Sequence, residues 1–166
     1  MMKWTAVLAA LLAATPAQAE LVTASDPQLF KAILESRGWE ATIVTPDGAA
    51  PYIQIDNGDL KFRMFFLNCV QNEQCQSVQY FLAFSDAKSM SLESLNEWNR
   101  TKRYARAYRD RQGDPVLEMD VNLGASGIPR PNVGLSLNIW SNLMEDYRKF
   151  VIDRTRPKAP SELSVP

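Results

Sequence analysis

Histidine is absent from all 166 residues. That removes Ser-His-Asp and Cys-His nucleophilic catalysis, together with every zinc site that needs an imidazole ligand. Cysteine occurs only twice, at Cys69 and Cys75, and the C-x5-C spacing differs from the C-x-x-C of thioredoxin-like redox motifs. Basic residues are not in excess. Setting Lys3 aside from the 18 basic residues leaves 17 against 19 acidic ones, a balance that argues against nucleic-acid binding and gives no reason to expect an anionic membrane as partner. Beyond the N-terminus no apolar run approaches the ~20 residues a spanning helix requires.

The N-terminus has a composition of its own. Lys3 makes a short basic start, Thr5 to Ala14 is apolar, and Ala17-Gln18-Ala19 is a small-x-small cleavage site. Residues 1–19 therefore read as a bacterial-type secretory signal, with cleavage after Ala19. No cysteine follows that site, so a lipid anchor is not expected. The 147 residues that remain suit one domain, expected over 20–153, with 154–166 as a polar, proline-punctuated and disordered tail. The mature protein is expected to be periplasmic or secreted, without membrane insertion. In such a compartment Cys69 and Cys75 are expected to form a disulfide.

Along the mature chain the period alternates between helix and strand. Asp26-Pro27 is an N-cap followed by proline at the first helical position, and Leu29, Phe30, Ile33 and Leu34 follow at helical spacing before Gly38. Strands are read at 39–45, 52–56 and 60–68, followed by a fourth beyond Cys75. Asn57-Gly58 predicts a two-residue turn that pairs Asp56 with Asp59, Ile55 with Leu60 and Ile53 with Phe62. A cross-strand Cys69–Cys75 pair sets Phe66 opposite Val78 and Met64 opposite Tyr80. A second helix, capped by Ser89 or Ser91, carries Leu92, Leu95 and Trp98 on one stripe. The hairpin that follows, with a three-residue loop at Asp110-Arg111-Gln112-Gly113, sets Arg106 opposite Glu118, Tyr108 opposite Val116 and Tyr104 opposite Asp120. A third helix from about Asn132 to Asp153 repeats Val133, Leu137, Trp140, Met144, Tyr147 and Val151. The class is α+β: an antiparallel sheet of about five or six strands with three helices, in the order α-β-β-β-β-α-β-β-α.

Three groups of polar residues invite a chemical reading. Arg100, Lys102, Arg103, Arg106, Arg109 and Arg111, interleaved with Tyr104 and Tyr108, resemble a stacking platform for nucleic acid. They straddle a helix end and a strand, however, and so make no single surface. Arg106 already has an acidic partner in Glu118, and the pair reads as a structural ion bridge. Glu93 and Glu97 lie one turn apart and Asp120 lies near Glu118, but no calcium-loop spacing or glycine-rich loop accompanies them. Solvated helix charge is the simpler account. No catalytic, cofactor-binding or metal-binding residue is assigned.

One stretch carries a family resemblance. SLESLNEWNRTKRYARAY, a turn, and then VLEMDVNL contain an N-E-W-N helix (Asn96 to Asn99), an R-aromatic-x-x-A-Y strand (Arg103 to Tyr108), a D-x-x-G turn (Asp110 to Gly113) and an acidic-apolar strand (Leu117 to Leu123). This resembles the YbjN family of bacterial proteins, and the likeness extends more weakly from the first helix to about Ile152. The resemblance implies a sensory transduction regulator, a fold similar to type III secretion chaperones, and a homodimer. It implies no catalysis, and an exported, disulfide-bearing chain differs from the cytoplasmic members.

The alternating pattern leaves one surface unexplained. Phe65, Leu67 and Phe81 fall on the sheet face opposite the three helical stripes, rimmed by Lys61, Arg63 and Gln79. An antiparallel sheet with one wet face should be polar there. The expected function is therefore a non-catalytic binding or regulatory module working through that face, buried in a homodimer or kept for a protein partner. The alternative is an enzyme of unassigned chemistry built on carboxylates and arginines, which requires a deep polar pocket joining Glu93 or Glu97 to Arg103 or Arg106.

Overall fold

The computed structural model describes residues 20–156. The expected signal segment 1–19 and most of the expected tail 154–166 lie outside the described residues. The order is β1 (Leu21–Val22), α1 (Pro27–Glu35), β2 (Glu40–Val44), β3 (Tyr52–Asp56), β4 (Lys61–Leu67), β5 (Ser77–Ala83), α2 (Leu92–Thr101), β6 (Arg106–Arg109), β7 (Pro115–Asn122), β8 (Ile128–Pro129) and α3 (Arg130–Thr155). Six strands form one antiparallel sheet in the order β2-β3-β4-β5-β7-β6. This is the expected α+β class and element order, with a two-residue ladder of β1 and β8 in addition.

Local chemistry accounts for each helix start. The Asp26 carboxylate accepts from the Leu29 amide at 2.9 Å, with Pro27 fixing the first turn. Ser91, not Ser89, caps α2 by accepting from the Ser94 amide at 3.1 Å. α3 starts two residues before Asn132 because the chain enters it directly from the β1–β8 ladder. There the Arg130 amide donates to Glu20 O at 2.8 Å and the Arg130 guanidinium meets the Glu20 carboxylate at 2.9 Å. Gly127 makes this close approach possible: its φ is +78°, and a Cβ there would stand 2.6 Å from the Val22 carbonyl oxygen.

All three helices lie on one face of the sheet. Ile53, Ile55, Phe62, Met64, Phe66, Val78, Tyr80, Leu82, Leu117 and Met119 point into that layer and are buried. α1 sets Phe30 edge-on to Phe66, with centroids 5.7 Å apart. α3 stacks Trp140 on Tyr80 at 5.6 Å and sets it against Phe62 at 6.0 Å. α2 reaches the core through Trp98, whose ring meets Tyr147 of α3 at 4.8 Å. Burial pushes the Tyr80 phenol up to about 12, although its hydroxyl shares a hydrogen bond with Ser136.

Two expected registers differ from those observed. At Asn57-Gly58 the strands pair Asp56 with Lys61, Ile55 with Phe62 and Ile53 with Met64, a slip of two residues from the predicted two-residue turn. Only Gly58 takes a positive φ, whereas a type I′ turn needs two such residues. The Asn57 side-chain oxygen instead accepts from the amides of Asp59 and Leu60, and Asp56 accepts from Gly58. Side chains thus hold a four-residue loop open. A slip of two keeps every side chain on its predicted face. The second difference is at Tyr104, which does not pair with Asp120. β6 begins only at Arg106, and Tyr104 sits at φ +72° with its side chain exposed. The other registers agree: Phe66 with Val78, Met64 with Tyr80, Arg106 with Glu118 and Tyr108 with Val116.

Candidate interaction face

The opposite face of the sheet divides into two unlike halves. Over β7 and β6 it is closed. Glu118 is only 6% exposed, and the Arg106 guanidinium holds its carboxylate through Nε at 2.9 Å and Nη2 at 2.7 Å. The Tyr108 hydroxyl donates to its other oxygen. Tyr108 is pushed well above its ordinary value, first by burial and then by its bond to the carboxylate. The same carboxylate raises Arg106 further. The bridge expected from the sequence is therefore real, and its acidic member lies beneath the surface.

Over β2 to β5 the face is open. Tyr52, Phe65 and Phe81 run diagonally across β3, β4 and β5 with successive ring centroids 5.6 Å apart. Arg63 lies over the Tyr52 ring at 5.9 Å. Each of the three rings is half-buried, as are Leu67 and Val44, and none of these five side chains joins the main core. Around them stand Glu40, Thr42, Gln54, Lys61 and Arg63, all exposed. Asp56 meets Lys61 at 3.4 Å, and Gln79 donates to Asp120 at 2.8 Å. A shallow depression of about 450 Å³ spans this half, lined by Glu40, Thr42, Gln54, Lys61, Arg63 and Phe81 among others. The structure brings Phe65, Leu67, Phe81, Lys61 and Arg63 onto one surface, as their alternation implies. Sequence reasoning missed Tyr52, which extends the aromatic diagonal. Its pairing with Phe65 depends on the four-residue loop, but its face does not: alternation with Ile53 and Ile55 is the signal that places it here.

The carboxylates and arginines of the enzymatic alternative do not converge. Glu93 faces Arg100 at 3.5 Å, Glu97 faces Arg154 at 2.7 Å, and Arg103 lies over the ring of Tyr104. Among the described residues, no group of three or more acidic or cysteine side chains is arranged to hold a metal ion, and no helix is long and apolar enough to cross a membrane.

Cys69 and Cys75 are bonded to each other, with Cα atoms 3.8 Å apart, just beyond the ends of β4 and β5. The segment they close contains left-handed non-glycine residues at Gln71, Asn72 and Gln74, with Asn68 immediately before it. Its conformation is fixed by side chains: Asn68 donates to Ser77 Oγ at 2.9 Å and Asn72 donates to the Gly48 carbonyl at 3.1 Å.

The N-E-W-N residues also have a place. Trp98 is buried between α2 and α3, while Asn99 turns toward the sheet. Its Nδ2 donates to Ala107 O at 2.9 Å and its Oδ1 accepts from the Ala107 amide at 2.8 Å. The side-chain amide thus completes the backbone pairing of edge strand β6 at that residue. The YbjN family, described as "Putative bacterial sensory transduction regulator", matches residues 26–153. The chain belongs to the YbjN family. A search of curated proteins and a search of solved structures each returned no match. Within this YbjN chain the signature residues fasten α2 to the sheet at β6, and the open half begins two strands away, at β5.

Proposed function

We propose that this YbjN protein is a non-catalytic module of the bacterial periplasm that regulates through protein–protein contact at the open half of its sheet. The observation that carries this reading is the aromatic diagonal of Tyr52, Phe65 and Phe81, which lies outside the core and is ringed by charged and amide side chains. An apolar centre with a polar rim is how recognition surfaces are built. The family description as a regulator agrees with it. A disulfide and an N-terminal signal pattern support an exported location.

The test uses Phe65→Asp and Phe81→Asp. Each variant should keep the far-UV circular dichroism and cooperative melting of the parent, yet lose the protein–protein crosslinks made from this face in intact cells. Outright unfolding would show that the face is ordinary core. Location is tested separately, by fractionation and N-terminal sequencing of the mature chain. A start at Glu20 in the periplasmic fraction is expected, and an intact Met1 in the cytoplasm overturns it.

A further inference from the structure

The two borders of the sheet are finished differently. At β6 the outward residue is Ala107, and Asn99 takes both its amide and its carbonyl. At β2 the outward groups are identified by the neighbouring hairpin, which closes with the Asn57 amide donating to Leu60 O at 3.2 Å. Along β3, therefore, Ile53 and Ile55 turn their backbone groups to β4, and Tyr52, Gln54 and Asp56 turn theirs to β2. Those three pair with Val44, Thr42 and Glu40. Ala41 and Ile43 are left with amide and carbonyl pointing outward, and among the described residues no hydrogen bond is made to these groups.

β2 also lacks the usual guards of an exposed border. It carries no proline or lysine, its ladder with β3 runs unbroken over Glu40–Val44, and its one charge is Glu40 at the end. Ile43 and Val44, on opposite faces, are each only half-buried. Glu40 and Asp47, the latter just past the strand, are exposed and make no ion pair among the described residues. The other charges nearby are engaged: Lys31 with Glu35, Asp56 with Lys61 at 3.4 Å, and Arg37 with Asn138 and the Trp39 ring. What stands unpaired along this border is acidic.

We propose that β2 is a docking edge for an extended, basic and β-branched segment of a partner protein, which adds to the sheet as one further strand. Antiparallel addition lets the segment exchange both bonds with Ala41 and both with Ile43. Its residues opposite those two lie on the helical side and are apolar. On the other side an apolar group meets Val44, a hydroxyl meets Thr42 and a lysine meets Glu40. A second lysine, beyond Val44, reaches toward Asp47. The proposal goes beyond the aromatic diagonal, because no ring of the open half takes part in it.

The probe is a capped synthetic peptide, Lys-Val-Val-Thr-Val-Lys, titrated into the isotope-labelled chain and followed by NMR. The Ala41 and Ile43 amide protons should shift and gain protection from exchange, while that of Ala107 should not. N-methylation of the third and fifth peptide residues, whose amides face β2, should weaken binding about tenfold or more. Methylation of the second and fourth, which face away, should change little. Glu40→Lys should weaken the peptide severalfold and favour one with glutamate at both ends. No shift at Ala41 and Ile43 with peptide up to about 1 mM, or equal binding of the two methylated forms, overturns the proposal. So does a pairing of β2 with a second copy's β2, seen as the same two shifts growing with chain concentration alone. If β2 is silent while folded Phe65→Asp still loses its cellular crosslinks, the edge is wrong and the interaction face stands.

Discussion

The two faces of this sheet are made by the same strands from alternate residues, yet they differ in how they are covered. On the helical side Met64, Tyr80 and Ile53 are fully buried against Trp140 and its neighbours. One residue along each strand, Phe65, Gln79 and Tyr52 remain half-buried with no helix over them. Composition does not separate the two sides, because both carry aromatic rings in mutual contact. Connectivity does. Short links join β3 to β4 and β6 to β7, so no helix is inserted there, and α1, α2 and α3 all return to the same side. Apolar residues on the other side are therefore left uncovered by any helix among the described residues.

Removing rings from each side is the most direct way to break this comparison. Trp140→Ala, on the covered side, should cost about 3–5 kcal/mol, whereas Phe81→Ala, on the open side, should cost about 1 kcal/mol or less. Urea unfolding measures both, and equal losses would erase the distinction between the faces. Next in size is the disulfide at the end of β4 and β5, a strand pair common to both faces. Reducing Cys69–Cys75 should cost about 2–3 kcal/mol because the loop it closes is short. Both thiols should resist alkylation until reductant is added.

A smaller effect is expected at the sheet edge. Asn99→Ala leaves the Ala107 amide and carbonyl without their partner, so a loss of about 1–2 kcal/mol is expected. Amide exchange at Ala107 should accelerate while exchange at Tyr80 does not. The smallest effect sharpens the contrast within the outer face itself. Arg106→Ala and Glu118→Ala should couple by about 1 kcal/mol in a double-mutant cycle, since the carboxylate is buried but the guanidinium is solvated. Additive effects would mean that the closed half is as solvent-screened as the open one.

Much of this architecture is legible in the sequence, and the unread parts share a cause. Alternation in β4 and β5, anchored by the two cysteines, defines the central register because these two local signals agree. Helix starts are legible where a capping side chain precedes an apolar stripe. What escapes is determined by contacts distant along the chain or by competing side-chain bonds. The β1–β8 ladder joins residues more than a hundred positions apart, and two-residue strands have no period to detect. The Asn57-Gly58 dipeptide promised a tighter turn than the one formed, because Asn57 spends its side-chain oxygen on the amides of Asp59 and Leu60. Tyr104 departs from its strand through a left-handed backbone that its residue type gives no reason to expect. Of the candidate site, Phe65, Phe81, Lys61 and Arg63 are legible from alternation, and so is the face of Tyr52; only its pairing with Phe65 is not, because the turn sets that register.

The clip made by Asn99 has a consequence for solubility. An antiparallel sheet has two borders, and each offers a template on which further chains can align. Here the β6 border is blocked at Ala107 by a side chain of the protein's own helix, while β2 pairs only with β3 among the described residues. A fibril requires two competent borders on every subunit, one to receive and one to offer. With one border blocked at Ala107, strand-by-strand addition through the other border is expected to stop after a single step, and Asn99→Ala should make the protein more prone to aggregate at high concentration.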